Sequence, residues 1–382
     1  MSLEADARTE LAELAQAHRL RAPRVVDGRS GPTMRLDGAE VVNLASNDYL
    51  SLCGDERLVR AAQGSLEADG VGAGASRLIT GTHRQHVALE AAVGDWLGRP
   101  ARLFNSGYAA NVGVLTALAD ARDVIFSDAL NHASLIDGCR LSRARVVVIP
   151  HGDVGALEAA LRAHPAARRR LVVTESLFSM DGDIVDVAAI HAVCAQHDAA
   201  LVLDEAHAVG ARGPEGRGVA ADAGVVPDVV IGTFGKALGS FGAFAASGAA
   251  VTQLLYNRAR TFVFSTALPP STAAASTAAV AIVRGPEGGE RRRALAANAR
   301  RLREAIPALG GAPDGAIAPL LVGNDSAVMD LSERLLARGV FAQGIRPPTV
   351  PDGTARLRIS VSSGHEGAQM ERAIAALREA TA

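Results

Sequence analysis

Between about residue 55 and residue 285, apolar residues fall into short continuous runs separated by helix-like stretches. The runs are Ala101–Phe104, Val124–Phe126, Val146–Ile149, Leu171–Val173, Ala200–Leu203 and Val229–Ile231. Runs that are apolar throughout, rather than alternating, are typical of strands covered by helices on both faces. The repeated alternation of strand and helix therefore predicts an α/β domain with a mostly parallel sheet.

The two ends of the chain follow other patterns. Residues 3 to about 19 place leucines among charges, as an amphipathic helix does, and short strand-like pieces follow. The stretch Arg284–Gly289 is rich in glycine and marks a junction, beyond which strands and helices alternate in a smaller α+β pattern. We therefore predict an N-terminal helix and arm over 1–45, a large α/β domain over 46–284 and a small C-terminal α+β domain over 285–382.

Composition narrows the function classes. With 382 residues and 48% hydrophobic content, the chain can bury a substantial core. The formal net charge is -2 and the arginines are scattered, which favours neither a nucleic acid nor a membrane surface as partner. The acidic N-terminus lacks an apolar signal-like segment, and the apolar runs are too short to span a bilayer. We expect a cytoplasmic protein.

The cysteines and one histidine pair argue against a disulfide framework and a metal site. Cys53, Cys139 and Cys194 lie far apart, so we expect buried thiols in a reducing compartment. His83 and His86 have no complementary ligand cluster, and we interpret them as surface or helix-start residues rather than metal ligands.

Lys236 is the only lysine, since arginine supplies the rest of the 39 basic residues. Arginine stays protonated at every usable pH, whereas a lysine can lose its proton and act as a nucleophile. The alternative is that a GC-rich genome left one lysine by chance. The glycine-flanked loop after an apolar run favours a chemical role instead.

Polar residues directly follow several predicted strands. Ligands of parallel α/β sheets bind at the carboxyl ends of the strands. Asp204 and His207 follow Ala200–Leu203, within the sequence Asp-Glu-Ala-His. The same four residues form the motif after which one group of helicases is named. A P-loop NTPase would need a glycine-rich loop with its lysine upstream of that box, but Lys236 lies downstream. The sequence therefore does not fit a P-loop NTPase.

Three further strand ends carry weaker signals. Asn105–Tyr108 opens a helix whose N-terminus suits a phosphate, with Gly107 allowing close approach. His132 lies at a helix start, where a capping Asn131 is a sufficient structural explanation. The acidic stretch Thr174–Asp183 lacks the downstream glutamate of a calcium loop. A phosphate cradle, a carboxylate, a histidine and a loop lysine together predict a pyridoxal phosphate (PLP) site.

With these residues assembled, the chain resembles the α-oxoamine synthases, PLP enzymes of the aspartate-aminotransferase-like fold (fold type I). The resemblance covers nearly the full length. It rests on Asn47–Leu50, Gly72–Arg77, Ser179–Gly182, Asp204–His207, Thr233–Lys236 and Phe264–Thr266. Arg21, Ser134 and the segment Ile345–Pro351 leading to Arg358 indicate the branch of the family that uses a pimeloyl thioester.

The resemblance implies a role for each site residue. Lys236 would hold the cofactor covalently and remove the Cα proton of L-alanine, while Asp204 would keep the pyridine nitrogen protonated. His132 would stack on the ring, and Ser179 and His207 would bind its phenolate oxygen. The phosphate would be held by Gly107, Tyr108 and Thr233, with Ser265 and Thr266 reaching in from a second subunit. The substrate side would comprise Arg21, Asn47, Ser76, His132, Thr349 and Arg358, the last pairing with the alanine carboxylate.

The implied reaction is a decarboxylative Claisen condensation of L-alanine with pimeloyl-CoA or a pimeloyl-carrier protein, in biotin biosynthesis, by a cytoplasmic homodimer. The nearest alternatives are sister enzymes that use glycine or serine: 2-amino-3-ketobutyrate ligase, 5-aminolevulinate synthase and serine palmitoyltransferase. From a different class, the chain could be a catalytically idle interaction subunit. An intact Lys236, Asp204 and His207 argue against that alternative.

Overall fold

The computed structural model describes residues 2–165 and 167–381. Its helices are α1 Leu3–Gln16, α2 Glu56–Asp69, α3 Arg84–Leu97, α4 Gly107–Leu118, α5 Ala133–Ser142, α6 Val154–Arg162, α7 Val187–Gln196, α8 Val219–Asp222, α9 Ala249–Arg258, α10 Arg260–Val263, α11 Pro270–Arg284, α12 Pro286–Ala305, α13 Asp325–Ala337 and α14 Gly367–Thr381. Its strands are β1 Val26–Asp27, β2 Thr33–Leu36, β3 Ala39–Asn43, β4 Ala101–Phe104, β5 Val124–Asp128, β6 Arg145–Ile149, β7 Arg170–Glu175, β8 Ala200–Asp204, β9 Val229–Thr233, β10 Ala243–Ser247, β11 Ile317–Gly323, β12 Val340–Phe341, β13 Gln343–Ile345 and β14 Ala355–Ser360. A short 3₁₀ helix spans Pro214–Gly216.

Packing divides the chain into two units. The first, here the sheet unit, comprises Leu50–Ser179 and Ile184–Arg293, and the second, the terminal unit, comprises Met1–Tyr49, Met180–Asp183 and Ala294–Ala382. The predicted boundaries were 45/46 and 284/285, and the two units divide at 49/50 and 293/294, with Met180–Asp183 in the terminal unit. The segment 1–45 groups with the C-terminal residues because β12 pairs with β3 in a shared sheet.

The sheet unit contains a seven-stranded sheet in the order β4-β10-β9-β8-β7-β5-β6. The six predicted apolar runs all form strands of this sheet. The sequence analysis did not predict β10, an alanine-rich strand that pairs antiparallel with both β4 and β9. The other neighbouring pairs are parallel, as expected of a mostly parallel sheet. Glycine is required at Gly232, since a Cβ there would lie 2.3 Å from the Phe244 ring.

A hydrophobic core on one side of the sheet holds the helices that carry the site. Leu115 and Val114 of α4 pack with Ile125 of β5 and Val173 of β7 in one buried cluster. Each fully buried leucine or isoleucine of such a core contributes about 1.5–3 kcal/mol by leaving water. The core therefore fixes α4 against the strands whose ends carry the polar residues.

Strand directions gather the candidate residues at one edge of the sheet. The parallel strands β5, β7, β8 and β9 end at Asp128, Glu175, Asp204 and Thr233. Because parallel strands have their carboxyl ends at the same edge, these four residues lie at one edge of the sheet.

The terminal unit is built on two small sheets. One has the order β1-β2-β3-β12, and the other is antiparallel in the order β11-β14-β13. α1 was predicted as amphipathic, yet none of its residues is buried among the described part of the chain. Leu3 is 86% exposed.

Two expectations about burial were wrong, whereas the interpretation of His83 and His86 as helix-start residues was confirmed. Cys53 is exposed, whereas Cys139 and Cys194 are buried as expected. His86 is fully buried, because its Nε2 bonds to the Leu268 carbonyl at 2.6 Å and its Nδ1 accepts from the backbone N–H of His83. β6 is an edge strand, so Val148 remains 65% exposed despite the apolar run.

Candidate active site

Asp204 ends β8 and is 5% exposed. Its Oδ1 accepts the backbone N–H of Ala206 at 2.8 Å, and its Oδ2 accepts an amide hydrogen of Asn111 at 2.7 Å. These donors hold the carboxylate in one orientation. Glu205, the next residue, has a different role. Its carboxylate accepts hydrogen bonds from Ser176 Oγ at 2.7 Å and from the backbone N–H groups of Val219 and Ala220.

Lys236 lies on the loop after β9, the strand that follows β8 in the chain. Its Nζ is 2.7 Å from Nε2 of His207, so two of the predicted site residues are in direct hydrogen-bond contact. Gly239 shapes this loop, since its φ is +61° and an added Cβ would lie 2.4 Å from the backbone nitrogen of Cys53. Thr233 Oγ1 donates to the Gly242 carbonyl at 2.9 Å and accepts from the Gly235 N–H at 3.1 Å.

His132 is itself the N-cap of α5, and its Nδ1 accepts from the backbone N–H of Ser134 at 3.2 Å. The prediction that Asn131 caps this helix was wrong. Asn131 is buried and donates instead to Ser127 Oγ and the Val173 carbonyl. Partial desolvation lowers the pKa of His132, although Asp204 opposes the shift and the residue as a whole remains accessible to solvent.

Glu175 is a buried carboxyl group that the sequence analysis did not single out. It ends β7 in register with Asp204 on β8, and its Oε1 accepts the backbone N–H of His132 at 2.7 Å. Burial raises the pKa of Glu175 to about 8, with Asp204 adding to the shift and the His132 N–H opposing it. Two neighbouring carboxyl groups in this environment do not both carry a charge easily.

The predicted phosphate loop begins α4. Ser106 is the N-cap and accepts from the Ala109 N–H at 3.1 Å. A Cβ on Gly107 would meet nothing within 4 Å, so the backbone there is open to an approaching ligand. Tyr108 is 48% exposed and donates its hydroxyl to Asp137. Ser179 is half-buried and follows the turn after β7.

Ser76 and Thr266, predicted for the substrate and the phosphate, pair with each other in an isolated β-bridge. Asn105 Nδ2 donates to the Thr266 carbonyl at 2.7 Å, which ties this bridge to the phosphate loop of the same chain. Ser265 lies in the same segment, and Arg77 beside Ser76 forms a buried ion pair with Glu90. The loop of Ser76 therefore has a clear structural role.

Within the terminal unit, Arg358 of β14 is 7% exposed. Its guanidinium donates to Ser360 Oγ at 2.9 Å, to Asn47 Oδ1 at 3.1 Å and to the Tyr49 hydroxyl at 3.3 Å. Two residues predicted for the substrate side, Asn47 and Arg358, are thus in contact.

A cavity of about 820 Å³ in the terminal unit is lined by both Arg21 and Thr349. Its walls include the apolar side chains of Met34, Leu36 and Phe341. Arg21 donates to the Pro347 carbonyl at 3.2 Å and, within the described residues, forms no ion pair with a carboxylate. The cavity therefore combines apolar side chains with charged ones, and among the latter Arg21 has no acidic partner within the described residues.

The residues of the sheet unit fit PLP chemically. An amine at Lys236 matches the cofactor's aldehyde, a buried carboxylate at Asp204 matches its pyridine nitrogen, and an open helix N-terminus at Gly107 matches its phosphate. Over 2–165 and 167–381, no three His, Cys, Asp or Glu side chains cluster as metal ligands would. No helix in those ranges combines the length and apolarity needed to cross a membrane.

Comparison with known proteins tests the family. The sequence profile of the family described as aminotransferase class I and II matches residues 39–377. The chain belongs to the aminotransferase class I and II family. This membership confirms the predicted fold.

Relatives within this aminotransferase family are similar over almost their whole length. The chain is 47% identical over 374 residues to the 8-amino-7-oxononanoate synthase of Geobacter sulfurreducens, covering 96% of each chain. It is 44% identical over 387 residues to the enzyme of the same name from Burkholderia thailandensis, covering 99% of this chain and 98% of the other. A solved serine palmitoyltransferase from S. paucimobilis, with bound PLP–myriocin aldimine, is 30% identical, with a TM-score of 0.94 over 100% of this chain and 98% of that one.

Proposed function

We propose that the chain catalyses the 8-amino-7-oxononanoate synthase reaction. L-Alanine condenses with pimeloyl-CoA or a pimeloyl-carrier protein to give 8-amino-7-oxononanoate, CO2 and the free thiol, a step of biotin biosynthesis. The observation that carries the proposal is the contact of Lys236 Nζ with His207 Nε2 at 2.7 Å, in the sheet unit that also holds Asp204. Near full-length similarity to enzymes of that name supports the choice of substrates.

PLP is the proposed cofactor. When bound, it supplies an electron-withdrawing ring that stabilises negative charge on the amino acid's Cα. Lys236 holds it covalently, Asp204 binds the pyridine nitrogen, and His132 packs on the ring. Ser179 and His207 bind the phenolate oxygen. The phosphate is bound by Gly107, Tyr108 and Thr233, with Ser265 and Thr266 of a second copy.

Proton transfer falls to Lys236. A free amine at this position takes the Cα proton of L-alanine and later returns one to the product. His207 supports this step, because its Nε2 lies 2.7 Å from Nζ and a hydrogen bond between them holds the amine in place.

Arg358 is the proposed partner of the alanine carboxylate. A guanidinium binds a carboxylate through two parallel hydrogen bonds, which fixes the orientation of the amino acid. The Arg358 guanidinium donates to neutral oxygens of Asn47, Tyr49 and Ser360, and these contacts orient it. Asn47 and Ser76 line the substrate side in this proposal.

The cavity of the terminal unit is the proposed site for the acyl group. A pimeloyl group has an apolar chain and a terminal carboxylate. The apolar walls suit the chain, and Arg21 suits the carboxylate because it has no acidic partner in the part of the protein that is described. Thr349 lines the same cavity.

The proposed working form is a cytoplasmic homodimer. Val71, Ile79 and Phe264 are 81%, 74% and 71% exposed in the single chain. Large apolar side chains close in sequence to Ser76 and Ser265 favour an interface there, since such patches on soluble proteins mark contact sites.

A substrate panel tests the proposal. The purified protein, loaded with PLP, is incubated with L-alanine, glycine or L-serine and with pimeloyl-, acetyl-, succinyl- or palmitoyl-CoA. Free thiol is measured and the products are identified by mass. We expect thiol release and a mass of 8-amino-7-oxononanoate with L-alanine and pimeloyl-CoA.

Other outcomes would reassign the activity. A preference for L-serine with palmitoyl-CoA would indicate the serine palmitoyltransferase reaction, in line with the similar solved structure. A preference for glycine would indicate one of the other sister enzymes. Absence of a cofactor absorption band that borohydride removes would show that the chain is not a PLP enzyme.

A further inference from the structure

Asn111 is a buried polar residue outside the set assigned to the cofactor and the substrates. It lies one turn into α4 and is 2% exposed, in a helix whose following residues are almost all buried and apolar. Both hydrogens of its amide are used, one by Asp204 Oδ2 at 2.7 Å and one by Ser134 Oγ at 2.8 Å. Asn111 therefore contacts both the Asp204 carboxylate and the Ser134 hydroxyl.

Ser134 extends this contact to His132. Its side chain is fully buried, and its Oγ lies 2.7 Å from His132 Nδ1. The backbone N–H of Ser134 also donates to Nδ1, so Nδ1 is an acceptor and the ring proton of the neutral imidazole is on Nε2. The Ser134 hydroxyl consequently accepts from Asn111 and donates to His132.

The orientation of the Asn111 amide is determined by the charge of Asp204. Its Oδ1 is buried and has no hydrogen-bond partner among residues 2–165 and 167–381. Turning the amide over would place this oxygen against the Asp204 carboxylate and leave both without a donor. An unsatisfied buried oxygen costs free energy, and such a cost in a folded protein calls for an explanation.

Charge distribution at the strand ends gives that explanation. The charged or titratable groups that act on Glu175 include Asp204, Lys236 and Asp128, and those that act on His132 are Asp204 and Lys236. Asp204 receives two donors, from Asn111 and Ala206, whereas Glu175 receives only the His132 N–H among its described hydrogen bonds. Asp204 is thus the more strongly hydrogen-bonded of the two carboxyl groups, and Asn111 supplies the difference.

We propose that Asn111 is a positioning residue of the cofactor site, which aims the Asp204 carboxylate directly and the His132 ring through Ser134. This inference rests on the proposed PLP function, because Asp204 is assigned to the pyridine nitrogen and His132 to the face of the cofactor ring. Asn111 acts only through them and has no contact of its own with a reacting atom.

The matched control is Asn131. It is also a buried asparagine, at 4% exposure, with two donor bonds and an orphaned Oδ1. Its partners, Ser127 Oγ and the Val173 carbonyl, are neutral and are not assigned to the cofactor. Asn131→Ala therefore removes the same chemistry without touching Asp204.

The test measures the dissociation constant for PLP and the pH dependence of the cofactor's visible absorption band. For Asn111→Ala we expect affinity to fall by about 10- to 100-fold, as for loss of a buried hydrogen bond to a charged group. We also expect the pKa read from the band to rise, because a weaker Asp204 contact leaves less positive charge on the ring nitrogen. Ser134→Ala should change both quantities less, since it removes only the link to His132.

A double-mutant cycle separates positioning from general destabilisation. If Asn111 acts through Asp204, Asn111→Ala should have little further effect on PLP affinity in an Asp204→Asn background. Equal effects of Asn111→Ala and Asn131→Ala, or additive effects in the cycle, would overturn the inference. If Asn111→Ala does not fold, Asn111→Ser is used, because its hydroxyl supplies one polar atom but is too short to reach both partners.

The wild-type protein distinguishes the two possible failures. If it shows no visible band with PLP, the proposed function itself fails. If it shows the band, and Asn111→Ala binds PLP as well as Asn131→Ala does, only the positioning role of Asn111 is refuted.

Discussion

The strand-end cluster and the arm are held in place by different kinds of interaction. The strand-end cluster, defined as Asn111, His132, Glu175, Asp204, His207 and Lys236, is joined by short hydrogen bonds among largely buried groups. The arm, residues 17–25 between α1 and β1, is mostly exposed and carries Arg21.

Ion pairs at the surface fasten the arm. Arg19 pairs with Asp325 and Asp352, and Arg24 pairs with Asp37 and Glu333. Arg346, which is buried, donates to the carbonyls of His18 and Leu20. Exposed ion pairs contribute little and weaken with salt, whereas buried networks lose stability steeply when one partner is removed. We conclude that the proposed chemistry is rigidly held and the proposed acyl recognition is more adaptable.

The largest effect should follow Lys236→Ala. Loss of the amine removes both the covalent attachment of PLP and the base, so turnover should fall by about 10³-fold or more. The measurement is thiol release, together with cofactor retained after borohydride reduction. Lys236→Arg is the matched control, since it keeps a positive charge but cannot attach the aldehyde. Appreciable condensation by either variant would refute the role of Lys236.

A more selective effect is expected of Arg21→Met in the arm. Without the guanidinium, KM for the pimeloyl thioester should rise by about 10- to 100-fold, because a bound carboxylate would lose its charged partner. Exchange of the Cα proton of L-alanine with solvent should be unchanged, since it does not need the acyl group. Arg24→Met, a neighbouring arginine held by Asp37 and Glu333, should alter stability by less than about 1 kcal/mol and leave KM near that of the wild type. Equal KM values for the two variants would contradict the assignment.

The smallest effect concerns Glu175→Gln and the dependence of stability on pH. The pKa of Glu175 is raised from the ordinary 4.5 to about 8, so the folded state holds a proton that the unfolded state releases. The stability that this neutral group contributes is fully present below about pH 4.5 and is lost as pH rises through about 8. Glutamine stays neutral and can still accept the His132 N–H. In the cofactor-free protein, Tm of the variant relative to wild type should therefore increase by several degrees across this window. A difference independent of pH would show that Glu175 is not protonated there.

Much of the sheet unit was predictable from the sequence because its strands are apolar runs and its site residues directly follow them. Asp204, His207 and Lys236 were singled out in this way, and Lys236 and His207 lie in direct contact. β10 was missed because an alanine-rich run has little strand propensity.

The buried polar residues of the site could not be identified from the sequence. Asn111 lies inside a helix, and its importance depends on β8 ending beside it, which is a tertiary contact. Glu175 follows a strand, but its raised pKa arises from the neighbouring strand end. The one available signal was a polar residue within the apolar face of α4. The capping role assigned to Asn131 was wrong for the same reason, since its partners lie on other strands.

Local opening of the loop of Lys236 can also be measured by proteolysis. Because the sequence has one lysine, a lysine-specific endoprotease has a single bond to cut, between Lys236 and Ala237. Ala237 and Leu238 are 1% and 0% exposed, so the protease cannot reach that bond until the loop opens. When reclosing is faster than cleavage, the cutting rate reports the equilibrium population of the open form. Two fragments on a gel would thus measure how often the reactive amine leaves its site.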